Sequence, residues 1–207
     1  MLLGQKLARK ALLLGLLSAS LVAFAADWAP GSADWEKLPE VKRSKSGHYL
    51  TPQQAYDLKM KDRNGVLFID VRTRAEAMYV GMPTDVDALV PYVEHPEIMN
   101  AWDEKRTMYS LEPNQDFVPE FERRLTAKGL TKDATVILIC RSGDRSSKAA
   151  DRLEMAGYKH VYSIAEGFEG DMAKDGPKSG QRAVNGWKNA HLSWSYRLDK
   201  AKMYFPN

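Results

Sequence analysis

The chain has 207 residues, 44% of them hydrophobic, which suffices for one domain with a sizeable core and leaves little room for a second. Its formal charge of +3 falls to zero once Lys6, Arg9 and Lys10 are set aside, so the balance gives no support for binding nucleic acid or an anionic membrane.

Those three cations precede the apolar stretch Ala11 to Phe24, and Ala23-Phe24-Ala25 fits a small-x-small cleavage site, so residues 1–25 read as a secretory signal peptide. The apolar stretch is short against the roughly 20 residues needed to cross a bilayer. The expectation is an exported protein, periplasmic in a Gram-negative source, with no membrane contact after cleavage. In such an oxidising compartment structural cysteines usually come in pairs, which makes the lone Cys140 a flag for chemistry or for intermolecular pairing.

Residues 26–47 hold Trp28, Pro30, Trp35, Pro39 and the cluster Lys42, Arg43 and Lys45, and read as an extended lead-in packed by its tryptophans, with its charges on a solvated face. The main domain is expected over residues 48–195, with a C-terminal tail over 196–207. Thr51-Pro52-Gln53-Gln54 supplies a cap, a proline at the first helical position and a capping-box glutamine, so the sequence predicts a helix from Pro52 to about Lys61. Asn64-Gly65 turns the chain into a strand over Val66 to Val71, followed by a short helix from about Thr73 to Tyr79 and a strand near Ala88 to Val90. The connection from Pro91 to Gln115, with Trp102, Met108 and Tyr109, exceeds the usual loop length. A helix follows over Asp116 to Lys128, set by Phe117, Phe121 and Leu125 and ended by Gly129.

Thr135 to Ile139 is an unbroken apolar run, as expected of a strand buried on both faces, and Ser146 to Met155 reads as a helix ending at Gly157, with Ser146 as its cap. His160 to Ser163 is a last short strand. Strands alternating with helices imply a parallel sheet covered on both sides, with ligands outside the carboxyl ends of the strands. Cys140 stands at one of those ends, in the strand-to-helix loop Cys140-Arg141-Ser142-Gly143-Asp144-Arg145-Ser146. Such a loop aims backbone N–H groups and a helix N-terminus at one spot, which favours an anion and a thiolate.

This loop resembles the active loop of the rhodanese-like sulfurtransferases. The resemblance extends upstream to Val66-Leu67-Phe68-Ile69-Asp70-Val71-Arg72 with Glu76. Downstream it takes in Gly157-Tyr158, Gly167-Phe168 and Gly186-Trp187, and in all it covers roughly Tyr49 to Trp194. It implies a single α/β domain with a roughly five-stranded parallel sheet and helices on both faces. It also implies transfer of a sulfane sulfur through a persulfide on Cys140, from a small anionic donor such as thiosulfate to a thiophilic acceptor. The loop amides from Arg141 to Ser146 would cradle the outer sulfur. Arg141 and Arg145 would hold the anionic donor, with Ser142, Gly143, Asp144 and Ser146 completing the site. Asp70, Arg72 and Glu76 are implied to be structural ion-pairing residues near it.

Two stretches depart from the family pattern. Where the family often has Gly-His-Ile-Pro-Gly-Ala, this chain has Gly81-Met82-Pro83-Thr84-Asp85-Val86, and a Gly- and Lys-rich stretch from Glu169 to Asn185 is inserted before Gly186-Trp187. Together with the Pro91 to Gln115 connection, the insertion could reshape the mouth of the site. His48, His95, His160 and His191 show no metal-ligand spacing, and neither a metal nor another cofactor is expected. Phosphatases of related fold place five residues between Cys and Arg, whereas here there are four, which suits a single sulfur better than a tetrahedral phosphate. The alternative from another class is a non-enzymatic sulfur carrier or interaction module serving an exported protein acceptor, motivated by the aromatic lead-in, the long connection and the Trp187 to Trp194 segment.

Overall fold

A computed structural model describes residues 35–206. The expected signal peptide and the start of the lead-in, including Trp28, lie outside the described residues.

Two 3-10 turns, Trp35–Lys37 and Glu40–Lys42, lead into β1 (Tyr49–Leu50) and α1 (Pro52–Lys61). β2 (Val66–Asp70), α2 (Arg74–Val80), β3 (Met82–Pro83) and β4 (Ala88–Leu89) follow. Next come β5 (Val93–Glu94), β6 (Trp102–Asp103), β7 (Met108–Tyr109), β8 (Glu112–Pro113) and α3 (Phe117–Ala127). The chain ends with β9 (Thr135–Ile139), α4 (Asp144–Met155), β10 (His160–Ile164), β11 (Trp194–Ser195) and a 3-10 turn at Lys200–Lys202.

The first two helices start where their side chains can satisfy orphan backbone donors. Thr51 Oγ1 accepts from the Gln54 N–H while Gln54 Oε1 accepts from the Thr51 N–H, and Thr73 with Glu76 repeats the arrangement at α2. Five strands form a parallel sheet in the order β1-β10-β9-β2-β4. Alternation along β2 and β9 then divides the core. Leu67, Ile69, Val136 and Leu138 pack under α3 and α4 with Phe121 and Leu153, while Val66, Phe68, Ile137 and Ile139 pack toward α1 and α2 with Ala55, Ala77 and Trp187. Helices therefore cover both faces. The β2–β9 register ends with Asp70 beside Ile139, which sets the Asp70-Val71-Arg72 run next to Cys140.

The connection from Pro91 to Gln115 is a nested flap. β5 pairs antiparallel with β8 and, inside that pair, β6 pairs with β7, where the Trp102 and Tyr109 rings meet edge to face at 5.5 Å. Its strands are two residues each, too short for a hydrophobic period to register in the sequence.

The solvated face expected for the lead-in charges needs a correction at Lys42. Its side chain is buried against Asp171 at 2.7 Å, tying the lead-in to the 169–185 insertion. At the other end, β11 pairs antiparallel with β3, Arg124 donates to the carbonyls of Ala201 and Met203, and Tyr204 is buried. The 196–206 segment is thus packed against the domain.

Candidate active site

Cys140 follows the last residue of β9 and is only 1% exposed. Its Sγ accepts the Gly143 N–H at 3.1 Å and lies 3.3 Å from Ser146 Oγ, whose single proton can go to Sγ or to the Gly143 carbonyl. Ser163 Oγ on β10 donates to Ser146 Oγ at 2.8 Å, and both serines are fully buried. Since the Ser163 proton occupies Ser146 as acceptor, the Ser146 proton is directed away, toward sulfur and the loop. A chain of buried hydroxyls with that polarity favours negative charge on Sγ.

Ser146 therefore is not the helix cap expected from the sequence. The helix α4 begins two residues earlier, at Asp144, with Gly143 in the cap position at φ 96°. A Cβ at Gly143 would stand 2.1 Å from the Ala165 carbonyl oxygen, so only glycine makes this turn here. Placing the helix start at Asp144 moves Ser146 into the first turn, where it faces the thiol. Gly167 serves the same close packing from the other side, since a Cβ there would lie 2.5 Å from the Arg141 carbonyl carbon.

Behind the loop, Arg72 and Asp70 are fully buried and joined by a bidentate pair, with Nη2 to Oδ2 at 2.6 Å and Nε to Oδ1 at 3.0 Å. Arg72 also donates to the Gly81 carbonyl, and its guanidinium lies 4.0 Å from the Phe168 ring centroid. The Phe168 N–H donates to the Cys140 carbonyl at 2.8 Å and the Glu169 N–H to that of Arg141 at 2.9 Å. Thus the Asp70–Arg72 pair props Phe168, and Phe168 props the backbone that carries the sulfur.

Arg145 makes two short bonds to Glu76, 2.6 and 2.5 Å, with both side chains mostly buried. Burial alone would raise the Glu76 carboxyl, but the hydrogen bonds and charge of Arg145, with the Thr73 N–H and Arg72, outweigh it and hold Glu76 down to about 2. Burial likewise works against the Arg145 charge, and the Glu76 carboxylate overcomes it, pushing Arg145 above its ordinary value. Arg145 is thereby anchored in an ion pair with Glu76, while Asp144 holds Lys148 and Arg106.

A cleft of about 370 Å³ lies beside the loop. Arg141, Asp144, Arg145 and Lys148 line it from the loop and α4, with Glu76 from α2. Across from them the flap side contributes Tyr92, Val93, His95, Arg106, Met108 and Leu111. Four basic side chains thus face two carboxylates, and the cleft favours an anion. Ser142 and Gly143 sit in the loop, with Gly143 buried beneath the sulfur. Among the described residues there is no group of three or more His, Cys, Asp and Glu arranged to hold a metal ion, and no helix is long and apolar enough to cross a membrane.

Sequence reasoning missed three residues here. Ser163 gave no signal because a serine within a strand is ordinary until its neighbour is known. Arg106 was one charge in a long connection, 38 residues from its partner Asp144. Arg182, from the insertion, feels burial first and then the like charge of Arg141, both of which lower it, while Glu169, Asp171 and the Cys140 sulfur pull the other way. Its guanidinium donates to the Gly170 carbonyl at 2.6 Å, on the segment that braces Arg141.

A model of the rhodanese-like domain matches residues 51–174. An uncharacterised protein of Rickettsia rickettsii is 32% identical over 143 residues, which cover 69% of this chain and 93% of that protein. A thiosulfate sulfurtransferase, GlpE of Tolumonas auensis, is 38% identical over 55 residues, 27% of this chain and 47% of the enzyme. Among solved structures, that of Rv0390 from M. tuberculosis is 27% identical with a TM-score of 0.53, covering 72% of this chain and 96% of its own.

Proposed function

The chain belongs to the rhodanese-like domain family, and from that premise we propose that it is a sulfurtransferase working through a persulfide on Cys140. The observation that carries this reading is the setting of Sγ, which accepts the Gly143 N–H and faces the Ser163–Ser146 hydroxyl chain at the start of α4. Those donors stabilise a thiolate, the form that attacks. With thiosulfate as donor, the Cys140 thiolate attacks the outer sulfur, the sulfur–sulfur bond of the donor breaks, and sulfite leaves with the bonding pair. Cys140 then carries a persulfide anion, held by the same preorganised donors. In the second step a thiophile such as cyanide attacks the outer sulfur, thiocyanate departs, and the thiolate is restored. No external oxidant or reductant is needed.

Arg141 and its cationic neighbours in the cleft draw the donor in, while Arg145 acts through its bond to Glu76 to fix the first turn of α4. The stretch shared with a thiosulfate sulfurtransferase supports thiosulfate as a usable donor. The charged start, apolar stretch and small-residue site within residues 1–25 support export, with a periplasmic location in a Gram-negative source and an exported protein as one class of acceptor. One feature supports the second reading, a sulfur carrier serving a protein acceptor: the exposed Ile98, Met99, Trp102 and Tyr109 of the flap. Thiocyanate formation from thiosulfate and cyanide by the purified protein tests the proposal. Turnover that disappears in Cys140→Ser is expected, and turnover retained in that variant would sink the mechanism.

A further inference from the structure

We propose that a second cavity, separate from the cleft at Cys140, binds a small organic cation, a primary ammonium on an apolar body. The cavity measures about 340 Å³, within the range of pockets that hold small ligands, and shares no lining residue with the cleft. It lies beyond the paired carboxyl ends of β1 and β10, where Leu50 runs into Thr51 and Ile164 into Ala165. Ligands of parallel α/β sheets sit at that end of the strands. The lead-in and the 169–185 insertion supply the other walls.

The sign of the ligand follows from which charges are already spent. Lys42 is buried and gives its ammonium to both oxygens of Asp171, at 2.7 and 2.9 Å, so these two cancel. The start of α1 offers little to an anion. Pro52 has no N–H, the Thr51 N–H goes to Gln54 Oε1, and the Gln54 N–H goes to Thr51 Oγ1. Glu166 is what remains. Its Oε2 accepts the Gly186 N–H at 3.1 Å, which fixes the half-buried carboxylate at the cavity, and no cation stands within ion-pair distance of it among the described residues. The stretch just before the lead-in tryptophan, residues 26–34, contains no lysine or arginine to supply one. A half-buried carboxylate without a counter-charge is costly, and a cation in the cavity would offset that cost.

The lining then decides which kind of cation. Trp35, Leu38 and Pro39 from the lead-in, with Ala165, form an apolar wall, and the Trp35 ring is held by Tyr49 at 5.6 Å between centroids. A hard metal ion needs several oxygen ligands and gains nothing from such a wall. An organic ammonium gains from the carboxylate, from the indole and from removing its carbon body from water.

Titration calorimetry on the full chain tests this with probes that share one body or one head. Phenethylammonium should bind at least tenfold more tightly than phenethyl alcohol, which lacks the charge, and than methylammonium, which lacks the body. Phenylacetate, with the opposite charge, should bind more weakly than the alcohol. Glu166→Gln keeps an acceptor for the Gly186 N–H while removing the charge, and should weaken phenethylammonium at least tenfold. Trp35→Ala, in the lead-in and away from the sheet, should weaken it about fivefold. Equal affinity for phenethylammonium and either of its truncated forms, or full affinity in either variant, would overturn the proposal. The binding does not depend on the sulfurtransferase reading, so either claim can fail while the other stands.

Discussion

At the carboxyl ends of β2 and β9, buried charges are matched one to one, Arg72 with Asp70 and Arg145 with Glu76. At the opposite end of β2 one carboxylate serves two ammonium groups. Asp87 takes Lys59 at 2.8 Å and Lys128 at 2.7 Å, and both lysines also donate to the Val66 carbonyl. The Asp87 carboxylate further accepts the Phe68 N–H, and Lys59 reaches the Arg63 carbonyl. Every strong donor there has found backbone or carboxylate, and the cluster serves as a brace for the start of the sheet. At the Cys140 end, by contrast, the Glu76–Arg145 pair lines a cleft beside the loop, and Arg141 Nε and Arg72 Nη1 are buried without a hydrogen-bond partner. Buried charge alone does not distinguish a site from a brace, whereas the cleft beside the Cys140 loop does.

Breaking the pairs tests that contrast, and the largest effect belongs to Arg72. Arg72→Met strands the Asp70 carboxylate in the core and should cost about 3–5 kcal/mol in urea unfolding. A loss under about 1 kcal/mol would show that the pair is not the prop described. Next is the Glu76–Arg145 pair. Arg145 and its neighbours hold the folded carboxyl down to about 2 against 4.5 in the unfolded chain, so the stability it adds is complete above pH 4.5 and is lost as pH falls toward 2. The amount is roughly 3 kcal/mol. Unfolding free energy measured from pH 5 to 2 should fall more steeply in the wild-type protein than in Glu76→Gln, and parallel curves would contradict the assignment.

Ser163→Ala removes the hydroxyl that orients Ser146 and should slow persulfide formation about tenfold, near 1.4 kcal/mol. Ser163→Thr, which keeps the hydroxyl, should recover much of the rate if the larger side chain fits. An unchanged rate in the alanine variant would reduce the serine chain to packing. A slope at the brace completes the set. Burial lowers Lys59 to about 8, ahead of the opposing pull of Asp87, so between pH 8 and 10.5 the unfolded chain holds a proton that the folded one has released. Stability from this group therefore rises with pH across that window, and Lys59→Met should flatten the rise.

The parts of the molecule legible in its sequence are those governed by neighbours along the chain. Thr51 and Gln54 lie three residues apart and set the start of α1, and the apolar runs at Val66 and Thr135 set β2 and β9, so the five-stranded parallel sheet and its helices follow. Cys140 and its loop were equally visible. What escaped depends on partners distant in sequence or on backbone conformation. Lys42 looked like surface charge because Asp171 is 129 residues away. Ser146 looked like a cap because nothing local announces that Gly143 takes φ 96° and starts the helix early. The flap looked like a bare loop because its strands pair only with each other, two residues at a time.

The central claim is a persulfide on Cys140, and the most direct test is the intact mass of the purified protein before and after thiosulfate, then after cyanide. The expected result is a gain of one sulfur atom, absent in Cys140→Ser and removed by cyanide as thiocyanate. No gain in the wild-type protein, or a gain that survives in Cys140→Ser, would contradict it.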